Sequence, residues 1–408
     1  MKEQLRKAIK EQNSTLSAEY KERASRSITE RVTASKQFEN AETVFVYAST
    51  ENEPSTDEII DFALKNGKTV LVPKVTGKRK MIAVKTESRA ELKKGYMGIP
   101  EPESDEEFKG KIDLSVIPCL GASVDGKRLG HGGGYYDTFL ENRETYKMCL
   151  CFSVNLRDDI PTEKYDILMN GVVSEMLLIA HRSGPVIYPE QTVKSALHAL
   201  SIGADMIEID LRFNKDGSII VSHDDNTERV FGVSRKTAEL SDSEFAALRH
   251  SGNPEYGSHF FSDYVDAGVK PLLLHIKEGG ERVFGIIDYL KKENYLENAV
   301  FGFSDPADVL AVKKYDPSIP VLAFIKNPDY IDANIDAGAD YIRLWQGNTT
   351  EERINYITSK GKKVWIMLGH AEGYEVGYTS REFYNWLLTQ KVDGVLINDV
   401  NFVLRPEE

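Results

Sequence analysis

In the second half of this chain, apolar runs alternate with helix-length stretches, and the runs close near His181, Asp210, His275, Phe303, Phe324, Trp345, Leu368 and Asn398. A further run, Ser218 to Val221, follows the turn sequence Asn214-Lys215-Asp216-Gly217 and reads as the return arm of a hairpin. With that arm set aside the runs number eight. Strands alternating with helices build a parallel sheet, and eight such units are what a closed (β/α)₈ barrel needs.

The ends of these runs carry chemistry. Glu208-Ile209-Asp210 sets two carboxylates two residues apart on a strand, so both face one side, the outline of a hard-cation site. If the turn centres between Asp216 and Gly217, His223 returns level with Asp210. A neutral imidazole beside a phosphate moves a proton to or from an alcohol oxygen, and His181 with His223 can divide the acid and base roles. Arg182 offers a phosphate fork. Any one of these residues taken alone reads as a surface ion pair or a packed imidazole. The set, in this order, points to metal-assisted phosphodiester cleavage.

The first half concentrates its chemistry in Arg128-Leu129-Gly130-His131-Gly132-Gly133-Gly134-Tyr135-Tyr136-Asp137, after the apolar run Leu114 to Leu120. Glycines after a strand let backbone N–H groups approach phosphate oxygens, a helix from Tyr135 to Asn142 adds its positive end, and Arg128 adds charge. No Gly-Lys-Ser/Thr follows, and the third glycine of a dinucleotide fingerprint is missing, so neither common nucleotide motif applies. On its own the loop reads equally as a tight turn. Glu53 precedes Ser55 and Glu58, a capping-box pair for a helix that reaches about Asn66 and ends at Gly67.

At 408 residues and 41% hydrophobic content there is room for two cores, and we place the domains at 1–175 and 176–408. The first is expected to be a three-layer α/β domain and the second the barrel. No run of eighteen apolar residues occurs, and Met1-Lys2-Glu3-Gln4 begins no apolar leader, so neither membrane insertion nor export is expected. Cys119, Cys149 and Cys151 lie in apolar runs, which suits reduced thiols in a cytoplasm. A net charge of −13 argues against nucleic acid as a partner.

Ala180-His181-Arg182, Pro189-Glu190-Gln191-Thr192, Glu208-Ile209-Asp210, Lys215-Asp216-Gly217 and His223-Asp224 through Arg229 together resemble the glycerophosphodiester phosphodiesterase family, from about Leu177 to Leu404. That resemblance implies a (β/α)₈ barrel, His181 and His223 as acid and base, Glu208 and Asp210 as ligands of a divalent metal, and Arg182 and Lys277 on the phosphate. It implies attack by a glycerol hydroxyl on phosphorus, loss of the alcohol and hydrolysis of a cyclic phosphate, with a glycerophosphodiester as substrate. In Leu274-His275-Ile276-Lys277 the chain has His275 where the family pattern has its third carboxylate ligand. Imidazole still coordinates, but one negative charge is gone, and the preference moves from Mg²⁺ or Ca²⁺ toward Mn²⁺, Zn²⁺ or Ni²⁺.

The glycine decapeptide, with Lys2, Leu5 and Arg6, Tyr47-Ala48-Ser49 before Glu53, Pro73-Lys74-Val75, Gly98-Ile99-Pro100-Glu101-Pro102, Ile160-Pro161 and Asp166, resembles the 5-formyltetrahydrofolate cyclo-ligase family from Lys2 to about Glu175. Carried over, Lys2, Arg6, Arg128, Gly130, His131, Gly132, Gly133, Gly134, Tyr135 and Tyr136 hold ATP. Asp137 and Asp166 hold Mg²⁺, and Glu53 contacts the reduced folate. The implied chemistry is phosphorylation of the N5-formyl oxygen by ATP and ring closure by N10. Ser123 and Tyr165 depart from that pattern. Three readings stay open at this point: two enzymes in one chain, a cyclo-ligase carrying a barrel used for ligand binding or assembly, and an active barrel carrying a nucleotide-binding regulator.

Overall fold

The computed structural model describes residues 1–123, 125–157, 159–371 and 373–404, with side chains described as far as residue 402; the last residues of the expected second domain, 405–408, lie outside it. The chain separates into two compact units, Met1–Met176 and Leu177–Phe402.

In the first unit six strands lie in the order Gly171–Val173, Tyr146–Leu150, Leu114–Pro118, Thr43–Val46, Thr69–Gly77 and Lys80–Thr86. Neighbours are parallel until the last pair, an antiparallel hairpin. Strand alternation divides the apolar side chains between two cores. Val44, Val46, Val70, Val72, Leu114 and Val116 meet Ile28, Val32, Ile59 and Ile60 of the helices Ala18–Thr33 and Asp57–Lys65. Phe45, Leu71, Ile117 and Cys149 face the opposite way, onto Phe139 and Leu140 of the helix Tyr135–Leu140. A core on each face of one sheet makes three layers. Each fully buried Val, Leu, Ile or Phe contributes about 1.5–3 kcal/mol.

One local expectation fails here. The helix Asp57–Lys65 starts after Thr56 with no side-chain cap, because the Thr56 hydroxyl donates to the Tyr47 carbonyl at 2.5 Å. The Ser55 and Glu58 box therefore does not form.

The second unit is a closed barrel. Its strands, first to eighth, are Leu177–Ala180, Met206–Phe213, Leu272–Ile276, Ala299–Phe303, Val321–Phe324, Tyr341–Trp345, Lys363–Met367 and Gly394–Ile397. Each is parallel to the next, and the first pairs with both the second and the eighth. Ile179, Met206, Leu273, Leu322, Met367 and Leu396 fill the interior. The hairpin arm Ile219–Val221 runs antiparallel to the second strand, with Leu211 opposite Val221. Ser222, one residue earlier than expected, is therefore level with Asp210, and its N–H donates to the Asp210 carbonyl at 2.9 Å. The shift follows from a three-residue turn, Lys215 to Gly217, closed by Asn214 N–H on the Ser218 carbonyl at 3.1 Å, with Gly217 at φ 86°. Among the described residues no helix is long and apolar enough to cross a membrane.

Candidate active sites

The first barrel strand ends in a turn whose residues Arg182, Ser183 and Gly184 have φ of 48°, 70° and 72°. That backbone costs a non-glycine residue about 1–2 kcal/mol. Among the bonds that hold it, the Ser183 and Tyr264 hydroxyls meet at 3.0 Å, and the Arg182 N–H donates to Glu208 Oε2 at 2.8 Å. The turn thus fixes His181 over the carboxylates of the second strand. His181 Nδ1 lies 2.8 Å from Asn398 Oδ1, while Asn398 Nδ2 donates to the Val376 carbonyl at 3.0 Å. Asn398 Oδ1 is then the acceptor, His181 Nδ1 the donor, and His181 Nε2 keeps its lone pair. Burial lowers the His181 pKa against the pull of Glu208, which favours the neutral ring.

His223 is less enclosed, its side chain 34% exposed, and its Nδ1 lies 2.7 Å from Asp224 Oδ1. Arg229 Nε donates to the other Asp224 oxygen at 2.6 Å and its two terminal nitrogens donate to Glu190 at 3.0 and 2.5 Å. Arg182 Nη1 donates to Glu190 as well, at 3.3 Å. A continuous chain of charged groups therefore links His223 to Arg182. Burial also lowers the His223 pKa, with Asp210 and Asp224 pulling the other way.

Glu208 and Asp210 are almost wholly buried, and His275 on the adjacent strand pairs with Asp210 in register. His275 Nδ1 stands 3.0 Å from Asp210 Oδ1 and 3.7 Å from Glu208 Oε1. One ligand atom from each of the three lies within 4.8 Å of the others, two carboxylate oxygens and an imidazole nitrogen, a set that fits a borderline divalent cation. Lys277 Nζ is 2.7 Å from Asp210 Oδ1 and 2.9 Å from His275 Nδ1. Burial opposes ionisation of Asp210, but Lys277 and His275 outweigh it and hold the carboxyl well below its usual range. Gln191 Nε2 also donates to Asp210 Oδ2 at 2.6 Å.

Two residues with no site role in the sequence reading complete this cluster. Phe324 stacks on His275 with ring centres 3.8 Å apart and planes 18° from parallel, and it reaches His275 across Gly302, where a Cβ would lie 2.3 Å from the Phe324 ring. Arg343, on the sixth strand, stands against Phe324 and Trp345 with its guanidinium carbon 4.8 and 4.3 Å from the ring centres. Its only signal in the sequence is a charged residue between Ile342 and Leu344 in an apolar run.

In the first unit the glycine loop meets the first helix. Arg6 Nε donates to the Gly130 carbonyl at 2.9 Å, and a Cβ on Gly132, which sits at φ 97°, would lie 3.2 Å from the Arg6 guanidinium carbon. His131 Nε2 lies 3.0 Å from Glu53 Oε1, while Glu53 Oε2 accepts from the Thr50 N–H and hydroxyl at 3.0 and 2.8 Å. Lys2 Nζ donates to Asp166 at 2.6 Å. Tyr135 packs against Tyr96, and part-buried Tyr136 has its pKa pushed up by desolvation and by Glu53. Arg79, on the hairpin turn and missed in the sequence, lies against Gly134, its Nη2 2.7 Å from where a Cβ would stand. The basic run Lys78-Arg79-Lys80 was the available signal.

Three residues expected on the ligands are paired within the chain instead. Arg128, expected on the phosphates, opens the two-residue strand Arg128–Leu129 and turns inward, 8% exposed, where Nη1 donates to the Pro118 carbonyl at 3.2 Å and Nη2 to both Asp137 oxygens at 3.0 and 2.9 Å. Asp137, expected on Mg²⁺, is thus committed to Arg128, and Asp166 to Lys2. As arranged, this pair of carboxylates does not make a magnesium site by itself. The helix after the loop, Tyr135–Leu140, is six residues, too short to lend the loop much of a dipole.

Residues 1–175 match the 5-formyltetrahydrofolate cyclo-ligase family and residues 181–401 the glycerophosphoryl diester phosphodiesterase family. The 5-formyltetrahydrofolate cyclo-ligase of Mus musculus is 32% identical over 186 residues, which cover 42% of this chain and 92% of that protein. Lysophospholipase D GDPD1 of Homo sapiens is 36% identical over 80 residues, 19% of this chain and 26% of that protein. The crystal structure of glycerophosphodiester phosphodiesterase from Agrobacterium tumefaciens aligns with 16% identity and a TM-score of 0.48, covering 55% of this chain and 97% of that one. The chain belongs to both families, the cyclo-ligase family through its first half and the phosphodiesterase family through its second.

Proposed function

We propose that the chain is a bifunctional enzyme: an ATP-dependent 5-formyltetrahydrofolate cyclo-ligase joined to a metal-dependent glycerophosphodiester phosphodiesterase. For the barrel, the observation that carries the reading is the meeting of two imidazoles with separate partners, His181 on Asn398 and His223 on Asp224, beside Glu208, Asp210 and His275. His181, with Nε2 free and a neutral partner on Nδ1, takes the proton of the attacking glycerol hydroxyl as its oxygen bonds to phosphorus. His223, whose Asp224 partner favours the imidazolium, gives a proton to the departing alcohol oxygen as the P–O bond breaks. The roles then reverse: His223 takes a proton from water, water opens the cyclic phosphate, and His181 returns its proton to the glycerol oxygen. Arg182 and Lys277 hold phosphoryl oxygens throughout. A divalent cation held by Glu208, Asp210 and His275 would add charge stabilisation on the phosphoryl group.

In the first domain, Arg6 and the N–H groups of Gly130 to Gly134 support an ATP phosphate site, and the Glu53 to His131 pair supports a folate contact beside it. Positioning carries the chemistry, since the formyl oxygen must meet the γ-phosphorus in line before N10 closes the ring. Mg²⁺ belongs with the nucleotide here, and no step is assigned to it. Three free, buried cysteines support a reducing compartment such as the cytoplasm.

Each half has its own test. ATP-dependent appearance of the methenyl chromophore from 5-formyltetrahydrofolate tests the first, and its absence contradicts the cyclo-ligase. Release of glycerol phosphate from glycerophosphocholine, across a panel of divalent ions, tests the second.

A further inference from the structure

Arg343 is the one charged group on the sixth strand that faces the barrel interior: it shares a register row with Phe324 and Trp365, both part of the interior cluster. It is 4% exposed. Its Nε and Nη1 are sealed from solvent with no acceptor, and among the described residues no carboxylate pairs with it. Two aromatic rings face the guanidinium, but cation–π contact returns little. Desolvating an unpaired charge costs several times that. Burial accordingly pushes the Arg343 pKa down to about 9, with Glu208 the one carboxylate pulling it up. A cation held at such cost, one aromatic ring from His275 and within the field of Glu208, is short of an anionic partner that the described residues do not supply.

We propose that Arg343 is an anion-binding residue of the barrel, donating to a phosphoryl oxygen of the ligand alongside Arg182 and Lys277, so that the site holds a phosphate ester without a metal. The ligand class rests on the phosphodiesterase reading; the need for an oxyanion rests on the unpaired nitrogens. The aromatic faces that could otherwise cage a cationic headgroup are already taken by the guanidinium, which also sets the sign of the charge this wall accepts.

The test is calorimetric titration of the full chain with glycerol phosphate in excess EDTA, for the natural sequence, Arg343→Met and Arg343→Lys, with thermal unfolding of each. Phosphate sites in the first domain contribute equally to all three titrations. Arg343→Met is expected to weaken binding by about tenfold to a hundredfold, the value of a hydrogen bond to a charged group, with Arg343→Lys in between. The melting temperature of Arg343→Met should stay level or rise, since an unsatisfied buried charge has been removed. Absence of binding in EDTA by the natural chain overturns the proposal, as does Arg343→Met binding within about twofold of it. A fall in melting temperature with binding retained assigns Arg343 to structure alone. Because no turnover is measured, these outcomes are separate from loss of diesterase activity, which would sink the catalytic reading instead.

Discussion

Two arginines are buried to nearly the same degree, one in each half of the molecule, and they differ in what surrounds them. Arg128 gives both terminal nitrogens to acceptors, Asp137 and the Pro118 carbonyl. Burial works against its charge, yet Asp137 outweighs the loss and holds the pKa above the ordinary arginine value. Both leave a buried Nε without an acceptor, but Arg343 also has a bare terminal nitrogen, Nη1, and aromatic rings rather than a carboxylate beside it. The first domain uses its buried cation as a brace beneath the glycine loop, and the carboxylate expected on a metal is consumed in it. In the barrel no described carboxylate pairs with the buried cation, and three donor groups converge nearby. Pairing, rather than burial or residue type, separates an arginine that holds a fold together from one that waits for a ligand.

The largest expected effect is also the sharpest division between the halves. His181→Ala should lower hydrolysis of glycerophosphocholine by about a hundredfold to ten-thousandfold, the usual value of a positioned acid or base, while methenyl formation by the same preparation is unchanged. Equal loss of both activities would mean that the variant is misfolded. Next in size, Arg128→Met strands the Asp137 carboxylate and should cost about 3 kcal/mol in denaturant unfolding, where Arg343→Met costs nothing. If the two substitutions destabilise alike, the contrast between brace and receptor is wrong. Third, His275→Glu returns a carboxylate to the ligand set, and the metal giving half-maximal activity should shift toward Mg²⁺ by about tenfold relative to Mn²⁺. An unchanged metal profile would remove His275 from the ligands.

The smallest effect is on pH. Burial lowers the pKa of both His181 and His223, so the base form of His181 persists as pH falls below about 6.5, and the acid limb of kcat/KM should lie under that value. Asp224 raises the His223 pKa, so Asp224→Asn should carry the alkaline limb to lower pH; movement of the acid limb instead would exchange the two roles. For stability the sign is fixed by linkage. Below about 6.5 the unfolded chain takes up protons at these positions that the folded chain refuses, so both histidines make the fold less stable as pH falls through that value.

The barrel was legible because its eight strands are apolar runs with helices between them, and periodicity reports that directly. Glu208 and Asp210 share a face for the same local reason. What could not be read needed distance in three dimensions. The hairpin register slipped by one residue because a three-residue turn and a two-residue turn look alike in Lys215-Asp216-Gly217. The capping box at Ser55 lost to a hydroxyl bond between Thr56 and Tyr47, across nine residues of chain. Arg128 looked like part of the loop it precedes, but it lies on a strand paired with Gly121–Ala122, which turns it inward. Phe324 reaches His275 only because Gly302 between them has no side chain, and no local pattern announces that.

If the second half cleaves a phosphodiester with a metal on Glu208, Asp210 and His275, metal occupancy and turnover rise together. The most direct test strips the full chain with EDTA, returns Mn²⁺ stepwise, and follows glycerol phosphate released from glycerophosphocholine alongside Mn²⁺ binding. Product formation should rise with occupancy of a single site, and Asp210→Asn should lose binding and turnover together. Mn²⁺ bound at that site with no product, under Mn²⁺ or any other divalent ion, would contradict it and leave the barrel a binding module.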